Sequence, residues 1–272
     1  MGKRLIEQIL PSLVKASWPT TAQATALGRK TYEIGLDQVD AYRGDAKQIA
    51  AALRTFLGGD SRPYAFAGVA YALLAIAREG DGSYDPGGVQ VAQSWLEKAQ
   101  SDEPDLLEIN FIEALVYVYS GRLDDARLVL DYLWEIDPAF YYLNAVEVAY
   151  WVARKDLAQI VRWCEKASQE AVTNPQRLQW RRIVADSYFA FNQYEQAIPA
   201  YKQALQVDPQ NGELWYQTAF IHWRMGKDED AERANQQALR FQPDYQPAQD
   251  LAAAIAEKKK KQSGRLGGLF SR

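Results

Sequence analysis

The sequence predicts an all-α chain built as a solenoid of stacked helix pairs. Three observations carry that expectation. First, two stretches between Leu178 and Tyr245 repeat with a spacing of 34 residues. Ala185, Tyr188, Asn192, Ala197, Tyr201, Ala204 and Pro209 align with Ala219, His222, Gly226, Ala231, Asn235, Ala238 and Pro243. Second, Pro104, Pro138, Pro175, Pro209 and Pro243 follow one another at steps of 34, 37, 34 and 34 residues. A near-constant period of this length marks stacked supersecondary units that share one core. Third, small residues recur where two helices must approach: Ala114, Ala185 and Ala219 on the first helix of a unit, Ala126, Ala197 and Ala231 on the second. Tyr117, Tyr188, Leu130 and Tyr201 supply the large partners that fill the gaps between ridges.

Each element follows from these signals. Proline has no N–H and restrains the residue before it, so each proline of the series closes one unit and opens the turn to the next. Gly121, Asn192 and Gly226 fall between the two helices of their units, where the chain needs a residue that tolerates positive φ. With Trp215, Tyr188 and the small residues, this pattern resembles the tetratricopeptide repeat family. The resemblance covers 178–245 and 107–140 most fully. It continues through 141–177, where Trp151 and Ala167 fit but Val148 and Ile160 stand at the small positions. It implies a right-handed α–α superhelix with a concave face that often holds a peptide.

Taken in order, residues 1–60 read as an N-terminal helical cap. Residues 3–17 form an amphipathic helix with Pro11 inside it. A helix from about Ala22 to Tyr42 follows, with Thr20 or Thr21 as its N-cap, and a second runs from Gly44 and Asp45 to Leu57; this pair reads as a degenerate repeat. Residues 61–245 hold about five repeats. The first places Gly68 and Tyr71 at the family's small and aromatic positions and carries an inserted Gly/Asp-rich loop near 79–90. Asp81, Ser83 and Asp85 alternate as calcium ligands do. Pro86 and Ala92 occupy the places of the required Gly and Glu, so a partner-contact loop is the better reading. Residues 246–262 form a capping helix, and 263–272 a basic flexible tail.

Composition narrows the function classes. One cysteine, Cys164, builds no disulfide framework, which points to a reducing cytoplasm. The net charge of −4 hides an asymmetry: residues 258–272 carry six cations and no acid, leaving −10 on the rest. An acidic body is ill-suited to nucleic acid. His222, the single histidine, stands where the preceding repeat has Tyr188 and reads as a packed spacer. One His and one Cys make neither a zinc site nor a nucleophile–base pair. No glycine loop cradles phosphate. The expectation is a protein without catalytic site, cofactor or metal.

By the family's geometry the inner face is lined by positions offset from the packing ones. They are Gln179, Arg182, Asp186 and Phe189, then Glu213, Tyr216, Phe220 and Trp223. Further up they are Glu108, Phe111, Leu115 and Val118, then Tyr142, Ala145, Ala149 and Val152. The aromatic share of this face implies a protein or peptide ligand, unless these residues pack on one another or on the N-terminal helix. Some relatives clamp a terminal carboxylate with Lys and Asn; here Asp186 stands where Asn is expected, which speaks against a clamp. The leading reading is therefore an interaction scaffold or adaptor. The alternative is a self-associating structural protein, a homo-oligomer, or a factor recruited to a membrane surface. These would act through Lys258, Lys259, Lys260, Lys261, Arg265 and Phe270 of the tail.

Overall fold

The computed structural model describes residues 2–42, 46–79 and 83–269, with side chains to residue 261. The described chain is helical throughout, with isolated bridges at Thr21–Ser61 and Arg78–Tyr84. It divides into two compact units, Met1–Glu170 and Ala171–Arg272.

In the first unit, α1 (Gly2–Val14) precedes four helix pairs. They are α2 (Ala26–Asp40) with α3 (Ala46–Leu57), α4 (Arg62–Ala77) with α5 (Pro86–Asp102), α6 (Leu107–Tyr119) with α7 (Leu123–Ile136), and α8 (Leu143–Arg154) with α9 (Leu157–Glu170). The second unit pairs α10 (Asn174–Ala190) with α11 (Tyr194–Val207) and α12 (Gly212–Arg224) with α13 (Asp228–Phe241), and ends in α14 (Gln246–Leu269). An all-α solenoid of helix pairs is thus the fold class, as expected.

The turn inside a pair is built the same way four times. Gly121, Lys155, Asn192 and Gly226 all have φ between 56° and 75°. The residue after each donates back to the carbonyl five positions earlier: Arg122 to Tyr117, Asp156 to Trp151, Gln193 to Tyr188 and Lys227 to His222, at 2.8–3.1 Å. These bonds and the left-handed residue make a Schellman cap, which satisfies the orphan carbonyls of the helix end and reverses the chain. Three of the four left-handed residues are the Gly and Asn that such a turn favours. Lys155 takes the conformation without that preference.

Two boundaries differ from the sequence expectation. Helix α2 starts at Ala26, capped by Thr25, whose hydroxyl accepts from the Gly28 amide at 2.8 Å. Thr21 instead gives its carbonyl to the Arg62 amide at 2.8 Å, which holds its segment extended against Ser61. Gly44 and Asp45 lie outside the described residues, as do Gly80, Asp81 and Gly82 of the inserted loop. The loop's far end is fixed: Asp85 caps α5 by accepting from the Gly88 amide at 2.8 Å, and Tyr84 stacks on Tyr119 at 3.7 Å. At the other end of the chain, α14 continues to Leu269 rather than stopping near Gln262. No proline follows Pro247 to end it.

The core of the first unit is continuous from Ile6 to Val146 and includes nearly all of α4. Burial on that scale is why α4 reads as an apolar run with no polar face. Cys164 is fully buried, and burial pushes its thiol up to about 12, so it packs as a small hydrophobe.

Candidate functional site

Of the expected inner-face positions of the first unit most are buried, but Ala145 and Ala149 are half-buried and Val152 is 47% exposed; those of the second unit are half-buried. In the first unit Glu108, Phe111, Leu115, Val118 and Tyr142 are all buried. Phe111 is a correction: it is 0% exposed, with its ring against Tyr71, Phe140 and Tyr142, and lines no groove. Arg29 pairs with Glu108 at 3.0 Å, Tyr32 donates to the Glu108 carbonyl at 2.7 Å, and Tyr71 donates to Asp40 at 2.6 Å. Tyr142 reaches Asp37 at 3.5 Å. Helix α2 is thus tied to Glu108 and Tyr142 of this face, while α1 packs elsewhere, its Gly2 against the Ile76 backbone of α4.

In the second unit Phe189, Tyr216, Phe220 and Trp223 come together as one half-buried group. Phe220 is its centre, with ring centroids 6.1 Å from Phe189 and 6.0 Å from both Tyr216 and Trp223. Tyr245 and Tyr194 extend it, edge-on to Tyr216 at 5.4 Å and tilted on Phe189 at 5.8 Å. Spacings of this size and the tilted geometry are those at which aromatic faces and edges attract. On one side the group rests on Leu251 and Ile255 of α14. The Trp223 indole N–H is buried without a hydrogen-bond partner.

Arg182 is also held in this unit, but by the protein itself. Its guanidinium makes a paired contact with both Glu213 oxygens, one at 2.8 Å, and a longer one with Asp186 at 3.5 Å. Tyr201 donates to the other Asp186 oxygen. Burial disfavours the Arg182 cation, yet its bonds to Glu213 raise its pKa above the usual value. An arginine already saturated by a bidentate carboxylate has little left for a ligand's carboxylate. Gln179 lies half-buried one turn earlier.

Of the basic residues, Lys258 pairs with Asp228 at 2.6 Å, Lys259 pairs with Glu232, and Lys261 pairs with Glu257 at 2.6 Å. Lys258 and Lys259 thus lie against the acidic first half of α13, while Lys261 pairs within α14. The Arg265 side chain and Phe270 lie outside the described residues.

His222 sits where the expected spacer should be, with a side chain 15% exposed and Nδ1 buried without a hydrogen bond, 4.0 Å from Asp230. Burial lowers its pKa; Asp230 opposes this, while Lys227, Lys202 and Arg233 add to it. The folded state therefore favours neutral His222. Its contribution to stability is complete above the unfolded value of about 6.5 and shrinks as pH falls below it. Thermal midpoints measured from pH 7.5 to 5.5 should decline, and His222→Gln should flatten the decline. Equal slopes in the two proteins would remove His222 as the cause.

Comparisons with known proteins fit this geometry. Residues 188–255 match the family model described as tetratricopeptide repeat. No curated protein matches the chain in sequence. Among solved structures, a signal transduction ATPase with numerous domains from Pyrococcus horikoshii, which has a tetratricopeptide repeat sensor, superposes with a TM-score of 0.61. The pair share 15% identity over 88% of this chain and 42% of that one. The Cut9–Hcn1 hetero-tetramer of the APC/C gives 0.55, with 16% identity over 84% of this chain and 46% of its own. A tetratricopeptide repeat protein from Parabacteroides merdae gives 0.51, with 13% identity, covering 94% of this chain and 91% of that one. The chain thus spans less than half the length of the first two. At these identities the likeness is one of fold. Among the described residues, no helix is long and apolar enough to cross a membrane.

Proposed function

We propose that this chain, a tetratricopeptide repeat protein, is a non-catalytic adaptor that holds a peptide or amphipathic helix on the aromatic group of its second unit. Proteins of this family generally mediate protein–protein interactions. The observation that carries the reading is the half-buried cluster of Phe189, Tyr216, Phe220 and Trp223, in contrast to the fully buried Phe111, Leu115 and Val118 of the first unit. Aromatic side chains that are half-buried before binding supply large contact area at low entropic cost, and such residues dominate binding energy. With Arg182 engaged by Glu213, the ligand is selected by apolar side chains rather than by a terminal carboxylate.

The test places a photo-crosslinking residue at Phe189 or Tyr216 and identifies what is captured. Binding of that partner is then measured to Phe220→Ala/Trp223→Ala. Two truncated hot-spot residues at about 2 kcal/mol each predict a loss on the order of a hundredfold or more. Because Phe220 and Trp223 also rest on α14, Phe220→Leu serves as a milder variant, and helical content is checked for both. Undiminished binding to folded variants would end the proposal.

A further inference from the structure

Helix α7 presents a face that the repeat does not require. Leu128, Tyr132 and Ile136 stand at i, i+4 and i+8 and are 71%, 56% and 50% exposed. That spacing puts them in one stripe along the helix. The second helices of the last five pairs align on the buried residue at the small position: Ala92, Ala126, Ile160, Ala197 and Ala231. The places of Leu128 and Tyr132 are then held by Ser94 and Lys98 in α5, Arg162 and Lys166 in α9, Pro199 and Gln203 in α11, and Arg233 and Gln237 in α13. Among these helices only α7 has two large apolar side chains there, so stacking one pair on the next does not call for them. A contiguous row of exposed large apolar groups marks a contact surface.

The charge around the stripe selects what can cover it. α7 carries Asp124, Asp125, Asp131 and Glu135 against Arg127, and Arg122 directly precedes it. Two of the four carboxylates are engaged by these cations, Asp125 by Arg122 at 2.7 Å and Asp131 by Arg127 at 2.6 Å. Asp124, one turn before Leu128, and Glu135, three residues after Tyr132, are exposed and have no ion-pair partner among the described residues. The face is thus apolar along its middle with two spare negative charges beside it. The same face of a second copy is a poor cover, because like charges would meet. The complementary chemistry stands in this chain. Residues 262–272 hold Leu266, Leu269 and Phe270 at i, i+3 and i+4, with Arg265 and Arg272 and no acid, and their side chains lie outside the described residues. Lys260, just before them, is exposed and has no ion-pair partner among the described residues.

We infer that residues 262–272 of a second copy dock on this face of α7, with Leu266, Leu269 and Phe270 against the Leu128–Tyr132–Ile136 stripe and the arginines beside Asp124 and Glu135. The inference is independent of the aromatic group in the second unit. The test uses the full-length chain. Sedimentation velocity from micromolar to submillimolar concentration should show a reversible association that weakens as salt rises. Leu128→Ser/Tyr132→Ser and Leu269→Ser/Phe270→Ser should each raise the dissociation constant about tenfold or more. The first pair should keep its melting temperature, because both side chains are exposed. Asp124→Asn/Glu135→Gln leaves the stripe intact and should reduce both the affinity and its dependence on salt. A photoreactive leucine analogue at Leu128 then identifies the occupant in a mixture of isotopically light and heavy chains. It should capture residues 262–272 of the opposite isotope. A monomer at every concentration, or an unchanged dissociation constant in either serine pair, would overturn the inference. So would capture of the tail of the same chain alone, capture of α7 of the second copy, or capture of no residue of the tail. Binding to anionic vesicles that is lost in Leu128→Ser/Tyr132→Ser, without self-association, would assign the face to a membrane surface instead.

Discussion

Glu147→Ala should destabilise the first unit by about 3–5 kcal/mol, the usual effect of removing one partner of a buried charge pair. The size follows from what stays behind. Glu147 is 3% exposed and is the common acceptor for Arg127, Trp134 and Trp151, one from its own helix and two from α7. Its loss leaves two indole N–H groups without an acceptor and Arg127 with only the exposed carboxylate of Asp131. For a unit of this size that corresponds to a fall in melting temperature of roughly 6–20 °C. Hydrogen exchange should locate the loss of protection in α7, α8 and α9. Asp131→Ala removes the other carboxylate bonded to Arg127, but Asp131 is 61% exposed, so the cost should stay within about 1 kcal/mol. Arg127→Ala combined with Glu147→Ala should cost less than the sum of the single changes, by roughly 1–3 kcal/mol, because neither is then left alone. Additive effects would show that the three donors do not share this carboxylate.

How much of this was legible depended on whether a feature is local in the chain. The repeat was, because a Schellman cap needs a left-handed residue at a fixed place, and Gly121, Asn192 and Gly226 announce it. Lys155 completes the series in space but carries no such signal; the departures legible over 141–177 are Val148 and Ile160 at the small positions. The start of α2 was misplaced because Thr20, Thr21 and Thr25 are all capping residues by type; only the tie of Thr21 to Arg62 excludes Thr21. The aromatic group of the second unit was legible because its members fall at one helical offset in adjacent repeats. Phe111 shares that offset and failed, since nothing near it in sequence tells that Tyr71, Phe140 and Tyr142 close around it.

The tryptophan group around Glu147 was not legible at all. Trp134, Trp151 and Trp163 come from three helices, and only Trp151 falls on a repeat position. Glu147 and Arg127 look like ordinary charges on exposed helix faces until the helices are packed. Packing geometry in a helical repeat is thus readable where it recurs and hidden where it is singular.

Phe56→Ala is the other change expected to cost about 3–5 kcal/mol, through a cavity that its neighbours cannot close. Phe56 is 2% exposed on α3, and its ring lies between two helical glycines. A Cβ added at Gly35 of α2 would stand 2.1 Å from the ring, and one at Gly68 of α4 would stand 2.2 Å from it. Glycine inside a helix costs about 1 kcal/mol relative to alanine, so each is kept here for the room it gives the ring. Gly68→Ala alone should therefore destabilise by about 1–3 kcal/mol despite its better helix propensity. In the Phe56→Ala background the same change should become neutral or stabilising, since the obstacle is gone and the added methyl enters the void. The sign reversal, read from urea or thermal unfolding of the four proteins, separates a packing role for Gly68 from any need for its backbone freedom. A penalty of the same size in both backgrounds would refute the packing account. The consequence reaches the inner face: α2 carries Gly35 on one side and Arg29, Tyr32 and Asp37 toward α6 and α8 on another. Seating this one ring is thus part of what holds α2 in place beside Glu108 and Tyr142.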